Sequence, residues 1–113
     1  MQACDIVHFE RGTKQRYGLG PIDDELVAQG LERFHDSAAI LNAHLTQQDW
    51  LLASGLSYAD FRMAVFLPFN DVGGLPLADY PAVAAWHARL LALPAWARPF
   101  DGLDAPELPP LPA

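Results

Sequence analysis

The sequence is poor in several residue types, and each scarcity excludes a class of protein. Lys14 is the only lysine, and 14 acidic against 7 basic residues give a formal net charge of −7, so the chain would repel nucleic-acid phosphates. Cys4 is the only cysteine, so no intrachain disulfide can form and nothing indicates an oxidising compartment. The chain has neither a long apolar run nor a secretory signal pattern. We therefore expect a cytoplasmic protein of bacterial type that binds neither nucleic acid nor membrane.

The composition predicts one folded domain followed by a tail. Hydrophobic residues make up 51% and charged residues 19% of 113 residues, which is enough apolar material for one core and too little chain for two. Residues 101–113 carry four prolines that exclude a helix: Pro106, Pro109, Pro110 and Pro112. We predict a helical domain over residues 1–100 and an extended proline-rich tail over residues 101–113.

The apolar spacing predicts an all-α fold, a small helical bundle. The longest helix spans about residues 24–45, where apolar residues recur at steps of three and four: Val27, Leu31, Phe34, Ala38, Leu41 and Leu45. A weaker, frayed helix is expected over residues 3–17, because residues 10–16 are polar and include Gly12. A later helix begins at Pro81 and ends at Pro94, and a short helical turn around Trp96 follows it.

The sharpest local motif is Ser57-Tyr58-Ala59-Asp60, which has the pattern of a capping box. In such a box, Ser57 and Asp60 each bond the backbone amide of the other at the start of a helix. We assign both residues a structural role and do not take Asp60 as a general base. The helix that follows is predicted to present Phe61, Val65 and Phe69 on one side and to kink or end at Pro68, before a turn at residues 70–74.

The order of these motifs resembles the C-terminal helical domain of bacterial glutathione S-transferases. The resemblance rests on the capping box, on Tyr80-Pro81 with Trp86 and Arg89, and on Leu93-Pro94-Ala95-Trp96. Upstream, Phe34-His35 and His44-Leu45 match the long second helix of that domain. The resemblance implies an all-helical fold and membership of a family of dimeric transferases.

The same resemblance implies that two parts of a complete transferase are missing. The thioredoxin-like domain that holds glutathione is absent before Met1, so we expect no cofactor in this chain and glutathione only if such a half is supplied. The first helix also looks clipped after His8-Phe9. That helix contributes to the dimer interface and the apolar substrate pocket of the family.

No catalytic residue is predicted. The four histidines lack metal-ligand spacing, so no metal site is expected, and Cys4 has no histidine nearby in a recognisable arrangement. The resemblance places a pocket for an apolar substrate near His8, Phe9 and Tyr58, although aromatic residues at helical spacing are first of all core.

Two functions from different classes follow. The first is a stand-alone binding or protein-interaction module without its own glutathione site, acting as a homodimer, with a thioredoxin-like partner chain, or with a small apolar ligand. The second is a glutathione transferase whose thioredoxin-like half is separately encoded or missing, so enzyme activity of the isolated chain stays open. A degenerate fragment without activity is a third reading.

Overall fold

The computed structural model describes residues 2–104 and 106–113 and shows an all-α bundle, as predicted. The α-helical elements are α1 (Gln2–His8), α2 (Lys14–Arg16), α3 (Asp24–Gln47), α4 (Tyr58–Ala64), α5 (Asn70–Gly73), α6 (Pro81–Leu91) and α7 (Pro94–Ala97). A π-helical turn joins α1 to α2, and 3-10 turns occur at Leu67–Phe69 and Leu77–Asp79. None of these helices is both long enough and apolar enough to span a membrane.

The first helix covers the predicted residues but is continuous, neither frayed nor clipped after Phe9. α1, the π-helical turn Phe9–Thr13 and α2 follow one another without a break, so residues 2–16 form one N-terminal helix. The low helix propensity of Gly12 does not fray it, because Gly12 is buried and a Cβ there would lie 3.0 Å from Cγ1 of Val72. The glycine therefore permits a close contact rather than a chain break.

Glu10, a polar residue of this helix, is hydrogen-bonded inside the fold. Glu10 is only 3% exposed, and its Oε2 accepts hydrogen bonds from Nζ of Lys14 and from the amide of Asp23, both at 2.8 Å. These bonds lower the pKa of Glu10 below its ordinary value, the Lys14 bond contributing most. The carboxylate thus ties the N-terminal helix to the start of α3.

The long helix α3 matches the predicted stripe. The Asp23 carboxylate caps it by accepting hydrogen bonds from the amides of Glu25 and Leu26, both at 3.1 Å. The predicted stripe residues are buried or packed against the core: Val27, Leu31, Phe34, Ala38, Leu41 and Leu45. This stripe faces the N-terminal helix and α6.

Gly30 sets how closely α3 approaches the N-terminal helix. A Cβ on Gly30 would lie 2.9 Å from Cγ2 of Val7 and 3.2 Å from the carbonyl oxygen of Ala3. Any larger residue must separate the two helices or displace Val7, which is fully buried. The predicted apolar stripe did not include this position.

The residues predicted on one side of this helix do not share one environment. Phe61 packs against the core, whereas Val65 and Phe69 lie beyond the end of α4 and are 37% and 49% exposed. The buried positions are Asp60, Ala64 and Leu67. The carboxylate of Asp60 points into the core, where it is hydrogen-bonded, although apolar spacing alone would place a carboxylate outside.

The segment after α4 is helical, not the simple turn predicted. α4 ends at Ala64, Pro68 lies in the 3-10 turn Leu67–Phe69, and α5 follows directly. Gly74 ends α5 with a φ of +64°, and its amide donates to the carbonyl of Asn70 at 2.9 Å. The Asn70 side chain then holds the backbone of Leu75 by two hydrogen bonds of 3.0 and 2.7 Å.

The end of the chain follows the prediction more closely. Pro81 begins α6, and Trp86 and Leu90 are fully buried in the core. The indole of Trp96 on α7 packs against Phe61, with ring centroids 5.6 Å apart. The described residues of the tail lie outside helices and strands, and Nη1 of Arg16 donates to the carbonyl of Pro109 at 2.7 Å.

Candidate functional site

An apolar cleft of about 420 Å³ lies beside α3. The N-terminal helix forms one wall. α4, the following 3-10 turn and α6 contribute the other lining residues. The lining residues are mainly apolar: Ala3, Cys4, Phe34, Ser37, Ala38, Ile40, Leu41, His44, Met63, Leu67, Val83 and Trp86. This volume is typical of small-molecule sites, which range over roughly 300–1,000 Å³.

The cleft has a buried floor and an exposed rim. Ala38 is 3% exposed, Trp86 is fully buried, and both belong to the core cluster. At the rim, Ile40 is 75% exposed and Met63 is 50% exposed. A ligand that entered would therefore cover apolar side chains that now face water, which is favourable in proportion to the area removed.

The polar groups of the cleft lie mainly along α3. Its lining residues on that helix run from Phe34 to His44, which corresponds to about 15 Å at 1.5 Å per residue. Ser37 and His44 supply a hydroxyl and an imidazole. Nε2 of His44 lies 2.8 Å from the carbonyl oxygen of Leu51, a contact that holds the ring in place at one end.

Cys4 brings the only thiol of the chain to the wall of the cleft. Burial raises the pKa of Cys4 above its ordinary value, and the charge of Asp5 acts in the same direction. The protonated thiol is a poor nucleophile, since the thiolate is the reactive form. Cys4 is therefore placed to contact a ligand rather than to attack one.

Asp60 holds a lining residue of the cleft, Trp86, in position. Its Oδ1 accepts hydrogen bonds from Nε1 of Trp86 at 2.8 Å and from the amide of Leu51 at 3.0 Å. Its Oδ2 accepts from the amide of Ser57 at 3.0 Å. One carboxylate thus fixes the indole that lines the cleft, the loop before α4, and the start of α4.

The electrostatics of Asp60 favour its ionised form. Burial raises the pKa of this carboxyl group, but the hydrogen bonds from Leu51, Ser57 and Trp86 together outweigh burial, and the pKa lies below its ordinary value. The capping box is present, and the Ser57 hydroxyl also accepts a bond from the Ala59 amide at 3.2 Å. Asp60 is thus both a cap and a hydrogen-bonded connection within the core.

The three residues predicted to bind substrate lie outside the lining of this cleft. Nδ1 of His8 bonds the carbonyl of Cys4 at 3.0 Å, while its ring packs on Phe66 with centroids 5.1 Å apart. Nε2 of His8 is buried and has no hydrogen-bond partner among the residues that the structure describes. Phe9 is 44% exposed and Tyr58 is 75% exposed. Their role in substrate binding stays a prediction.

Sequence reasoning missed the rim of the cleft. Ser37, Ile40 and His44 lie at steps of three and four along α3, beside the predicted core stripe. An available signal was Ile40, an apolar residue outside that stripe. Within the part of the chain that the structure describes, no three His, Cys, Asp or Glu side chains are grouped so that they could hold a metal ion.

Most of the residues that line the cleft lie in a segment that matches a known protein family. A family model described as the glutathione S-transferase C-terminal domain matches residues 24–89, which is more than half of the chain. The chain belongs to this family. No solved structure matches it.

The match divides the cleft of this glutathione S-transferase C-terminal domain into two parts. The floor on α3, Asp60 and Trp86 all lie within the matched residues. Ala3 and Cys4, on the wall formed by the N-terminal helix, precede the matched segment. The cleft is therefore lined by residues of the matched segment together with two residues of the N-terminal helix that precede it.

Proposed function

We propose that this glutathione S-transferase C-terminal domain is a binding module that takes a small apolar ligand in the cleft beside α3. The observation that carries the proposal is the cleft itself, with a volume of about 420 Å³, a buried apolar floor and exposed apolar rim residues. The raised pKa of Cys4 supports binding over covalent chemistry by this thiol at neutral pH.

The proposal is tested with Nile red, a neutral apolar dye whose fluorescence rises when it leaves water. The dye should bind the wild-type chain saturably, with one site. Ile40→Lys places a charge on the rim, where Ile40 is 75% exposed, and should weaken binding at least about tenfold, equivalent to about 1.4 kcal/mol.

The matched control is Leu91→Lys on α6. Leu91 is also an exposed apolar residue, at 46%, but it does not line the cleft. This variant should bind the dye like the wild type. Equal weakening by both variants, or dye binding unaffected by Ile40→Lys, would place the apolar site elsewhere and reject the proposal.

A second candidate is a glutathione transferase that works with a thioredoxin-like half on another chain. The observation that favours it is membership of a transferase domain family. Calorimetric titration of the chain with glutathione measures whether this domain binds glutathione by itself. Micromolar binding would favour the enzyme, because this domain would then hold the thiol substrate itself. Absence of binding is expected of both candidates and would leave glutathione to the thioredoxin-like chain.

Association with another chain is the remaining part of the proposal. Large apolar side chains are exposed at several places in the fold, among them Tyr58 on α4 at 75% and Leu19 in the loop before α3 at 59%. We propose that a second copy or a thioredoxin-like chain covers part of this surface in the cytoplasm. Sedimentation of the purified chain should show a dimer at micromolar concentration. A strictly monomeric chain would leave the partner chain as the remaining candidate.

A further inference from the structure

Residues 108–112 read Leu-Pro-Pro-Leu-Pro, and the proposed function does not use them. The described tail residues 106–113 have neither helix nor strand. Leu108 is 63% exposed and Leu111 is 39% exposed. Two apolar side chains therefore face water within a short proline-rich segment.

The chemistry of this segment limits how another protein can bind it. Three of its five residues are prolines, which have no backbone N–H and a φ fixed near −65°. Such a segment cannot add as a strand to the edge of a sheet, because the required donors are missing. It also cannot extend as a regular helix. The polyproline II conformation remains, and it is already favoured before binding.

In that conformation the side chains form two adjacent apolar edges. Polyproline II has three residues per turn, so Leu108 and Leu111 share one edge. Pro109 and Pro112 share the next edge, and Pro110 lies on the third. The leucine and proline edges together make one apolar face of the segment.

We propose that residues 108–112 are a recognition segment for a partner domain with an aromatic-lined groove, of the kind found in SH3 domains. Such grooves bind proline-rich segments in the polyproline II conformation, and the fixed φ of proline lowers the entropy lost on binding. Asp101, Asp104 and Glu107 precede the segment. The groove should therefore have a basic rim, which complements these charges.

The structure shows a contact that competes with this partner. Nη1 of Arg16 donates to the carbonyl of Pro109 at 2.7 Å, and Pro109 is half-buried while Pro110 and Pro112 are exposed. The N-terminal helix thus holds part of the proline edge, and the leucine edge faces water. A partner that takes both edges must displace Arg16.

The test uses the full chain and a set of SH3 domains chosen for basic groove rims, with binding measured by calorimetry. At least one domain should bind saturably. Pro112→Ala, on the recognised face, should weaken binding about tenfold or more. Pro110→Ala is the matched control on the third edge, and it should change the dissociation constant by less than about threefold.

Arg16→Gln gives a second readout that depends on the observed contact. Removing the guanidinium frees the Pro109 carbonyl, so the same domain should bind this variant more tightly than the wild type. Three results would overturn the proposal: no binding by any of the domains, equal weakening by Pro110→Ala and Pro112→Ala, or no gain in affinity for Arg16→Gln. Far-ultraviolet circular dichroism verifies that each variant keeps the wild-type helical signal.

Discussion

At the scale of single residues, Asp60 does more than cap the start of α4. Its fully buried carboxylate bonds the amide of Leu51, the amide of Ser57 and the indole of Trp86. Each donor comes from a different part of the chain. No cationic side chain among the described residues pairs with this carboxylate, and its burial is tolerated because these hydrogen bonds replace the lost hydration.

Asp60→Asn should lower the free energy of unfolding by about 2–4 kcal/mol, although the two side chains have the same shape. Asparagine has only one acceptor oxygen. Its NH2 group would therefore face at least one of the three N–H groups that now bond the carboxylate, and that N–H group would lose its acceptor. Urea unfolding followed by circular dichroism measures this loss. Asp36→Asn on the exposed side of α3 is the control, and it should stay within about 0.5 kcal/mol of the wild type. Equal effects of the two variants would contradict the central role of Asp60.

His87 should give the chain a pH-dependent stability. Burial lowers the pKa of His87, and its Nε2 accepts a hydrogen bond from the Trp96 indole at 3.3 Å. As the pH falls below about 6.5, the unfolded chain takes up this proton before the folded chain does, so the free energy of unfolding decreases. The decrease continues until the folded-state pKa is passed.

The contribution of His87 is isolated by comparing the wild type with His87→Gln, which keeps an acceptor for Trp96. The difference in the free energy of unfolding between the two proteins should change between pH 7 and the acid range, with the wild type losing stability relative to the variant. Urea unfolding at a series of pH values measures it. A constant difference would show that His87 has the same pKa in both states.

At the scale of elements, the contact between the N-terminal helix and α3 depends on Gly30. In an isolated helix, Gly30→Ala would be favourable by about 1 kcal/mol because alanine has the higher helix propensity. In the folded chain the new methyl group would meet Cγ2 of Val7 at 2.9 Å and the carbonyl oxygen of Ala3 at 3.2 Å. The tertiary contact and the intrinsic propensity therefore oppose each other.

We expect the contact to dominate, so Gly30→Ala should lower the free energy of unfolding by about 1–2 kcal/mol, since overpacking costs typically 1–3 kcal/mol. The neighbouring position offers a control, because Gln29 is exposed and Gln29→Ala should change stability by less than about 0.5 kcal/mol. Thermal unfolding of both variants gives the comparison. A more stable Gly30→Ala protein would mean that the two helices separate easily.

At the scale of the whole molecule, we expect the last ten residues to contribute little to the stability of the bundle. Among them, the Pro109 carbonyl accepts the hydrogen bond from Arg16, while Leu108 and Leu111 remain exposed. Removing residues 104–113 should therefore change the free energy of unfolding by less than about 1 kcal/mol. Urea unfolding of the shortened chain measures this. A larger loss would mean that the tail belongs to the core.

The tertiary structure also decided where the cleft lies. Sequence reasoning placed a pocket near His8, Phe9 and Tyr58, whereas the observed cleft runs along α3. The reason is that a cleft is bounded by several elements at once. Its wall at Cys4 and its floor at Trp86 are more than eighty residues apart in the chain.

The sequence by itself determined the helix class, the start of α3 and of α6, and the capping box of α4. These features depend on spacing, proline and capping residues within a few turns of each other. Only the tertiary structure decided the continuous N-terminal helix, the burial of Asp60 on α4 and the position of the cleft. Gly12 fits Val72, and Asp60 faces Trp86. Such contacts join residues far apart in the sequence, so local pattern alone does not contain them.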